Sequence, residues 1–124
     1  MSRIASGAVP HNPADANNFV LPATMQRLLG PDDGQDVRLY RVSFAEGART
    51  NWHVHDDAQL LFGLAGTCVV VDRAGTELVL AEGDVVVIEA GNEHWHGAAP
   101  GTAGAHLAIN LGTNTTWLDS SAGE

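Results

Sequence analysis

The chain has no lysine. Six arginines stand against 15 Asp plus Glu, for a formal net charge of −9. Such a balance excludes the basic footprint that nucleic acids and anionic membrane surfaces require; the excess acids are read as keeping the protein soluble. Cysteine is almost absent as well. The single Cys68 allows no intrachain disulfide, and within T-C-V-V-V it reads as a small buried core residue. No apolar run approaches the roughly 20 residues a membrane helix needs. The opening M-S-R-I-A-S-G-A-V-P lacks the apolar centre of a signal peptide, so the cytoplasm is the expected location. A helical period is missing too, as are internal repeats and any linker that would split the chain.

What the sequence does have is alternation. Its 124 residues, 44% of them apolar, are of single-domain size. Apolar and polar positions alternate in short stretches separated by glycine-containing turns, which predicts strands over Val37–Phe44, Thr50–His55, Gln59–Leu64, Thr67–Asp72, Thr76–Ala81, Val85–Glu89, Glu93–His96 and Ala103–Leu111. Phe19–Leu29 reads as a further strand broken at Pro22, with a short helix at Ala23–Leu29 as the alternative. Short strands at this spacing indicate an all-β antiparallel sandwich or barrel. Residues 1–18 are expected to form an N-terminal arm, in which His11 is a solvated loop residue. Residues 19–112 are expected to form the barrel. Residues 113–124 are expected to be a tail whose Trp117 and Leu118 dock on the barrel or on a partner.

Five of the six histidines fall in three of these strands: His53 and His55, His94 and His96, and His106. Residues i and i+2 of a strand share a face, so His53 and His55 project the same way. Gln59 keeps their parity but lies beyond Asp56-Asp57, which turns the chain and brings its amide back from a neighbouring strand. The segment G-N-E-H-W-H-G offers a further imidazole. Imidazoles in a core are costly without partners. A shared ion is one economical partner, and neutral imidazole ligates Mn, Fe, Ni, Cu or Zn.

The spacing G-(x)5-H-x-H-(x)3-[E/Q]-(x)6-G, from Gly47 to Gly66, resembles the first cupin motif. Gly83, Gly91 and His94 meet the second, G-(x)5-P-x-G-(x)2-H-(x)3-N, with Glu89 in place of Pro and Ala98 in place of Asn. The resemblance implies a cupin-type antiparallel jelly-roll β-barrel with a metal held by His53, His55, Gln59 and His94. More narrowly, T-N-W-H-V-H with Gln59 and H-W-H-G-A-A-P-G-T-A-G-A-H-L-A-I is similar to the small bacterial cupins that include the manganese-dependent (R)-hydroxynitrile lyases. That likeness implies an enzyme that cleaves a cyanohydrin to an aldehyde and hydrogen cyanide, or runs the reaction backwards. It also implies one divalent transition metal, manganese first, with Fe, Ni, Zn and Co as alternatives. Gln rather than Glu at position 59 leaves such an ion its full double charge and makes it a stronger Lewis acid.

Lyase chemistry also needs a proton carrier. His106 is the first candidate, because it shares strand parity with Ala108 and Asn110; His96, on the face of His94, is the second. Tyr40 is a candidate hydrogen-bond donor to a small carbonyl substrate. Val42, Phe44, Thr50, Leu61 and Asn110 are expected to line the pocket, with Arg38 at its rim. Trp52 and Trp95 alternate away from the ligands and read as outer packing or dimer contacts, so a homodimer or homotetramer is expected. Competing readings are a metal-dependent dioxygenase, distinguished by oxygen uptake, and an isomerase or decarboxylase of a small keto acid, which wants a cationic anchor. A non-catalytic binding module is the remaining reading.

Overall fold

In a computed structural model, residues 1–112 and 114–124 are described; residue 113, the expected first residue of the tail, lies outside them. Every strand pairing among the described residues is antiparallel, and the helical segments among them are single 3-10 turns at Ser6–Ala8 and Pro31–Asp33. The strands are β1 Asn12–Pro13, β2 Phe19–Val20, β3 Ala23–Leu29, β4 Arg38–Phe44, β5 Arg49–Thr50, β6 His53–His55, β7 Gln59–Gly66, β8 Cys68–Asp72, β9 Glu77–Leu80, β10 Val85–Ile88, β11 His94–Ala98, β12 Gly104–Asn110 and β13 Thr115–Trp117. One sheet runs β1-β3-β4-β12-β7-β10. The other runs β13-β6-β11-β5-β2, with β8 between β11 and β9. The two sheets pack as a jelly roll, and among the described residues no strand pairing closes them into one continuous barrel.

Their facing sides make the core. Val42, Phe44, Leu61 and Ala108 come from the first sheet, Val70, Leu80 and Ala98 from the second. The alternation read in the sequence supplies these residues, since every second side chain of a strand enters the same face. The motif glycine Gly66 is required by geometry. It has φ 59°, and a Cβ there would lie 2.1 Å from the carbonyl oxygen of Ala103. Gly97 is required by close approach, because a Cβ would meet that of its register partner Arg49 at 2.4 Å.

Two expectations change. Thr50–His55 is not one strand but two, broken at Asn51 and Trp52. The backbone N–H groups there leave the ladder: Asn51 donates to Asn18 O at 2.8 Å and Trp52 to Asp119 O at 3.1 Å. The tail, expected to dock in an unspecified way, adds β13 to the sheet beside β6, pairing Thr115 with His55 and Trp117 with His53. On the outer face, Trp52, Val69 and Trp95 form a small separate cluster. The Arg73 guanidinium lies 4.0 Å over Trp52 and that of Arg49 lies 4.7 Å over Trp95. The indoles thus pack away from the imidazoles, as their parity indicates.

Candidate metal centre

The histidines meet where the two sheets face each other. His53 and His94 are direct partners across the β6–β11 ladder, and their rings stand 4.3 Å apart between centroids. His55 and His96 follow two residues on along the same strands, with centroids 5.1 Å (His55) and 5.1 Å (His96) from His53. Gln59 comes from the opposite sheet, and its Oε1 lies 3.1 Å from His94 Nε2. Ligand nitrogens of His53, His94 and His96 all lie within 4.8 Å of one another. All five side chains are buried. Two of the implied ligands, His53 and His94, belong to the 4.8 Å group, but its third member is His96 rather than His55; the His55 ring stands 5.1 Å from that of His53, and Gln59 reaches His94 from the other sheet.

Hydrogen bonds orient the rings. The Nδ1 of His53 is bonded to Asn51 O at 2.9 Å and that of His94 to Asn92 O at 2.8 Å. A carbonyl accepts only, so each Nδ1 carries the proton and each Nε2 presents a lone pair; that of His94 faces the Gln59 Oε1, two acceptors that a cation held between them would satisfy. The Nδ1 of His55 is bonded to Thr115 Oγ1 at 2.9 Å. The Nε2 atoms of His55 and His96 are buried with no hydrogen-bond partner among the described residues. The orphaned His55 Nε2 is what a cation would satisfy, so the donor set fits a divalent metal, and the His96 Nε2 is left free to exchange a proton.

The electrostatics agree with that fit. Burial, then the neighbouring His94, pushes His53 well below the ordinary imidazole range and brings His55 down to about 4. Burial, then His106, does the same to His96, and burial alone lowers His94. Removing an imidazolium from water is costly, so the neutral form is held, and only the neutral form ligates a metal.

A cavity of about 420 Å³ opens on this cluster. His53, His55, Gln59 and His96 line it, together with the expected Tyr40, Val42, Thr50 and Asn110. Phe44 and Leu61, also expected in the wall, are only 2% and 0% exposed and belong to the core instead. Their parity is right, but they sit deeper along β4 and β7. His106 is also displaced from its expected position in the wall. It is fully buried, lies behind His96, and shares a 2.9 Å hydrogen bond between its Nε2 and His96 Nδ1. Burial brings its pKa down to about 4.

Two tail residues are among the contributors that the sequence reading missed. Trp117 lines the cavity and lies tilted against the His53 ring, 4.6 Å between centroids. Thr115 orients His55. Arg38, placed at the rim by the sequence reading, lines the cavity too. No local pattern marks the tail residues, whereas the inward parity of Arg38 with Tyr40 and Val42 was a usable signal. A larger groove of about 660 Å³ lies over Trp52 and Trp95 on the outer face and contains none of the imidazoles, so the chemistry belongs to the smaller cavity.

The sequence profile described as "Cupin domain" matches residues 40–111, more than half of the chain. The chain is a cupin. Among curated relatives, this cupin is 36% identical over 122 residues to the (R)-mandelonitrile lyase of Granulicella tundricola, covering 96% of this chain and 92% of that protein. Among solved structures, it resembles a cupin-like protein of Thermotoga maritima at 29% identity, with a TM-score of 0.87 and coverage of 94% and 91% of the two chains. A predicted oxalate decarboxylase from the same organism shares the fold at 19% identity and a TM-score of 0.77, covering 94% of this chain and 100% of that one. At that identity the likeness concerns the fold alone. No helix among the described residues is long and apolar enough to cross a membrane.

Proposed function

We propose that this cupin is a metal-dependent lyase that cleaves or forms cyanohydrins of small aldehydes, with manganese as its metal. The observation that carries the reading is that the neutral donors His53, His55 and Gln59 line a cavity that His96 also lines, with His94 directly behind them, its ring 4.3 Å from that of His53 and its Nε2 3.1 Å from Gln59 Oε1. The 36% identity to a protein named (R)-mandelonitrile lyase supports the reaction class. His53, His55, Gln59 and His94 would hold the ion, which supplies a Lewis acid for the substrate oxygen.

The remaining chemistry is proton movement. Cleavage removes the hydroxyl proton while the carbon–carbon bond to the nitrile breaks, and the electron pair leaves with cyanide. His96 takes that proton on Nε2 and passes it to the departing cyanide as hydrogen cyanide. His106 sets the character of His96 through their shared hydrogen bond. With the proton on His96 Nδ1, Nε2 is a base; with the proton on His106 Nε2, the His96 Nε2 carries hydrogen and is an acid. His106 is thus a positioning residue rather than the direct carrier. Tyr40 offers a hydroxyl from β4, and Val42 and Trp117 give the wall its apolar surface. A homodimer or homotetramer of soluble chains remains part of this reading.

The test is elemental analysis of the purified protein, followed by a cyanide-release assay with mandelonitrile on metal-loaded and chelator-treated samples. Release from the loaded form, lost on chelation and regained on reloading, supports the reading. No release from a loaded form overturns it, and oxygen uptake with a β-diketone by that form would replace it with an oxygenase.

A further inference from the structure

Arg38 begins β4 on the same inward face as Tyr40 and Val42 and is the register partner of Asn110, which in turn pairs with Gln59. It is half-buried, yet its Nε and one terminal nitrogen, Nη2, are sealed from solvent and have no hydrogen-bond partner among the described residues. A guanidinium carries a fixed charge and five donors in a planar fork. Leaving two of its nitrogens dry and unpaired is costly.

Arg41 and Arg49 also carry a buried Nε without a partner among the described residues, but neither lines the cavity. Arg27 pairs with Asp32, and Arg73 pairs with Glu93 and Asp119. Arg49 stacks on Trp95 and donates to the Glu124 carbonyl. Asp15 is the acid that lines the cavity, but it is exposed, accepts from the Asn17 N–H, and makes no ion pair with Arg38. The positive charge of Arg38 is felt at the cluster, where it helps disfavour a charged His55.

We propose that Arg38 is an anion anchor inside the cavity, and that the substrate this site is built for carries a carboxylate, as a small 2-hydroxy or 2-oxo acid does. A carboxylate accepts two parallel N–H bonds from one guanidinium and would satisfy nitrogens the protein leaves unpaired. The oxygen on the adjacent carbon then falls toward the imidazole cluster. The inference rests on the lyase reading only in taking that cluster as the reacting centre. Neutral cyanohydrins become substrates that use the cluster without the anchor.

The test compares metal-loaded wild type with Arg38→Gln and Arg38→Lys, each at equal measured metal content. Calorimetry follows the binding of mandelate and of its neutral analogue mandelamide. Both ligands present the same hydroxyl to the metal, so comparison between variants isolates the carboxylate. Arg38→Gln should weaken mandelate about ten- to a hundredfold, the usual worth of a charge-assisted hydrogen bond, and leave mandelamide within about twofold. Arg38→Lys, which keeps the charge without the fork, should fall between. Unchanged mandelate affinity in Arg38→Gln overturns the anchor, as does equal loss of both ligands. Binding is read without turnover, so failure here leaves the cyanide-release result standing, and the reverse also holds.

Discussion

Gln59 and Asn110 face each other across the β7–β12 ladder, and the amide nitrogen of Gln59 donates to Asn110 Oδ1 at 2.7 Å. An amide has an oxygen end and a nitrogen end of nearly equal size. The bond to Asn110 holds the nitrogen back and turns the oxygen toward His94 Nε2, 3.1 Å away. Only the oxygen end can ligate a cation.

Asn110→Leu therefore removes the acceptor that fixes the amide and leaves a buried N–H₂ unpaired. Affinity for Mn²⁺ should fall about ten- to a hundredfold, as for other losses of residues that orient a ligand. Asn110→Asp keeps the acceptor and should bind the ion at least as well as wild type. Competition with a chromogenic chelator measures both. Wild-type affinity in Asn110→Leu would mean that Gln59 needs no clamp.

The His96–His106 pair separates contact from support. His96 lines the cavity, whereas His106 touches only its neighbours in the core, including Phe44 at 5.3 Å between ring centroids. His96→Ala should lower the rate of cyanide release about a hundredfold or more, in the range of a lost general acid–base. His106→Gln, which can still bond to His96 Nδ1, should retain more activity than His106→Leu at the same metal content. If His106→Leu instead matched wild type in kcat and in its pH profile, the support role would be wrong.

Acid should unfold the metal-free protein through its imidazoles. His53, His55, His94, His96 and His106 all have pKa values lowered from 6.5 by burial, with His55 and His106 at about 4. The unfolded chain then binds protons that the folded chain refuses, so stability is full above about pH 6.5 and falls as the pH drops toward about 4. His106, which is 0% exposed, contributes on the order of 3 kcal/mol to that loss. Bound metal competes with these protons and should shift the loss to lower pH. Urea midpoints across this range, with and without metal, measure it. A midpoint of the metal-free protein that stays level from pH 7 to about pH 5 would count against the buried, neutral state of these rings.

The sequence by itself determined the period-2 alternation that makes this chain all-β, the turn glycines, and which face each imidazole takes. Those are local properties: a strand turns every second side chain the same way, and Gly66 at φ 59° tolerates what other residues resist. Hence His53, His55 and Gln59 could be gathered from spacing, while His94 was singled out by the resemblance to the second cupin motif. Depth was not legible. Parity gives His106, Phe44 and Leu61 the correct face, but only the crossing of the two sheets decides that they lie behind the cavity wall while Arg38 and Tyr40 lie in it. Nor could any local signal bring Thr115 to His55 or Trp117 over His53, because these contacts span about 60 residues and exist only once the tail has paired with β6.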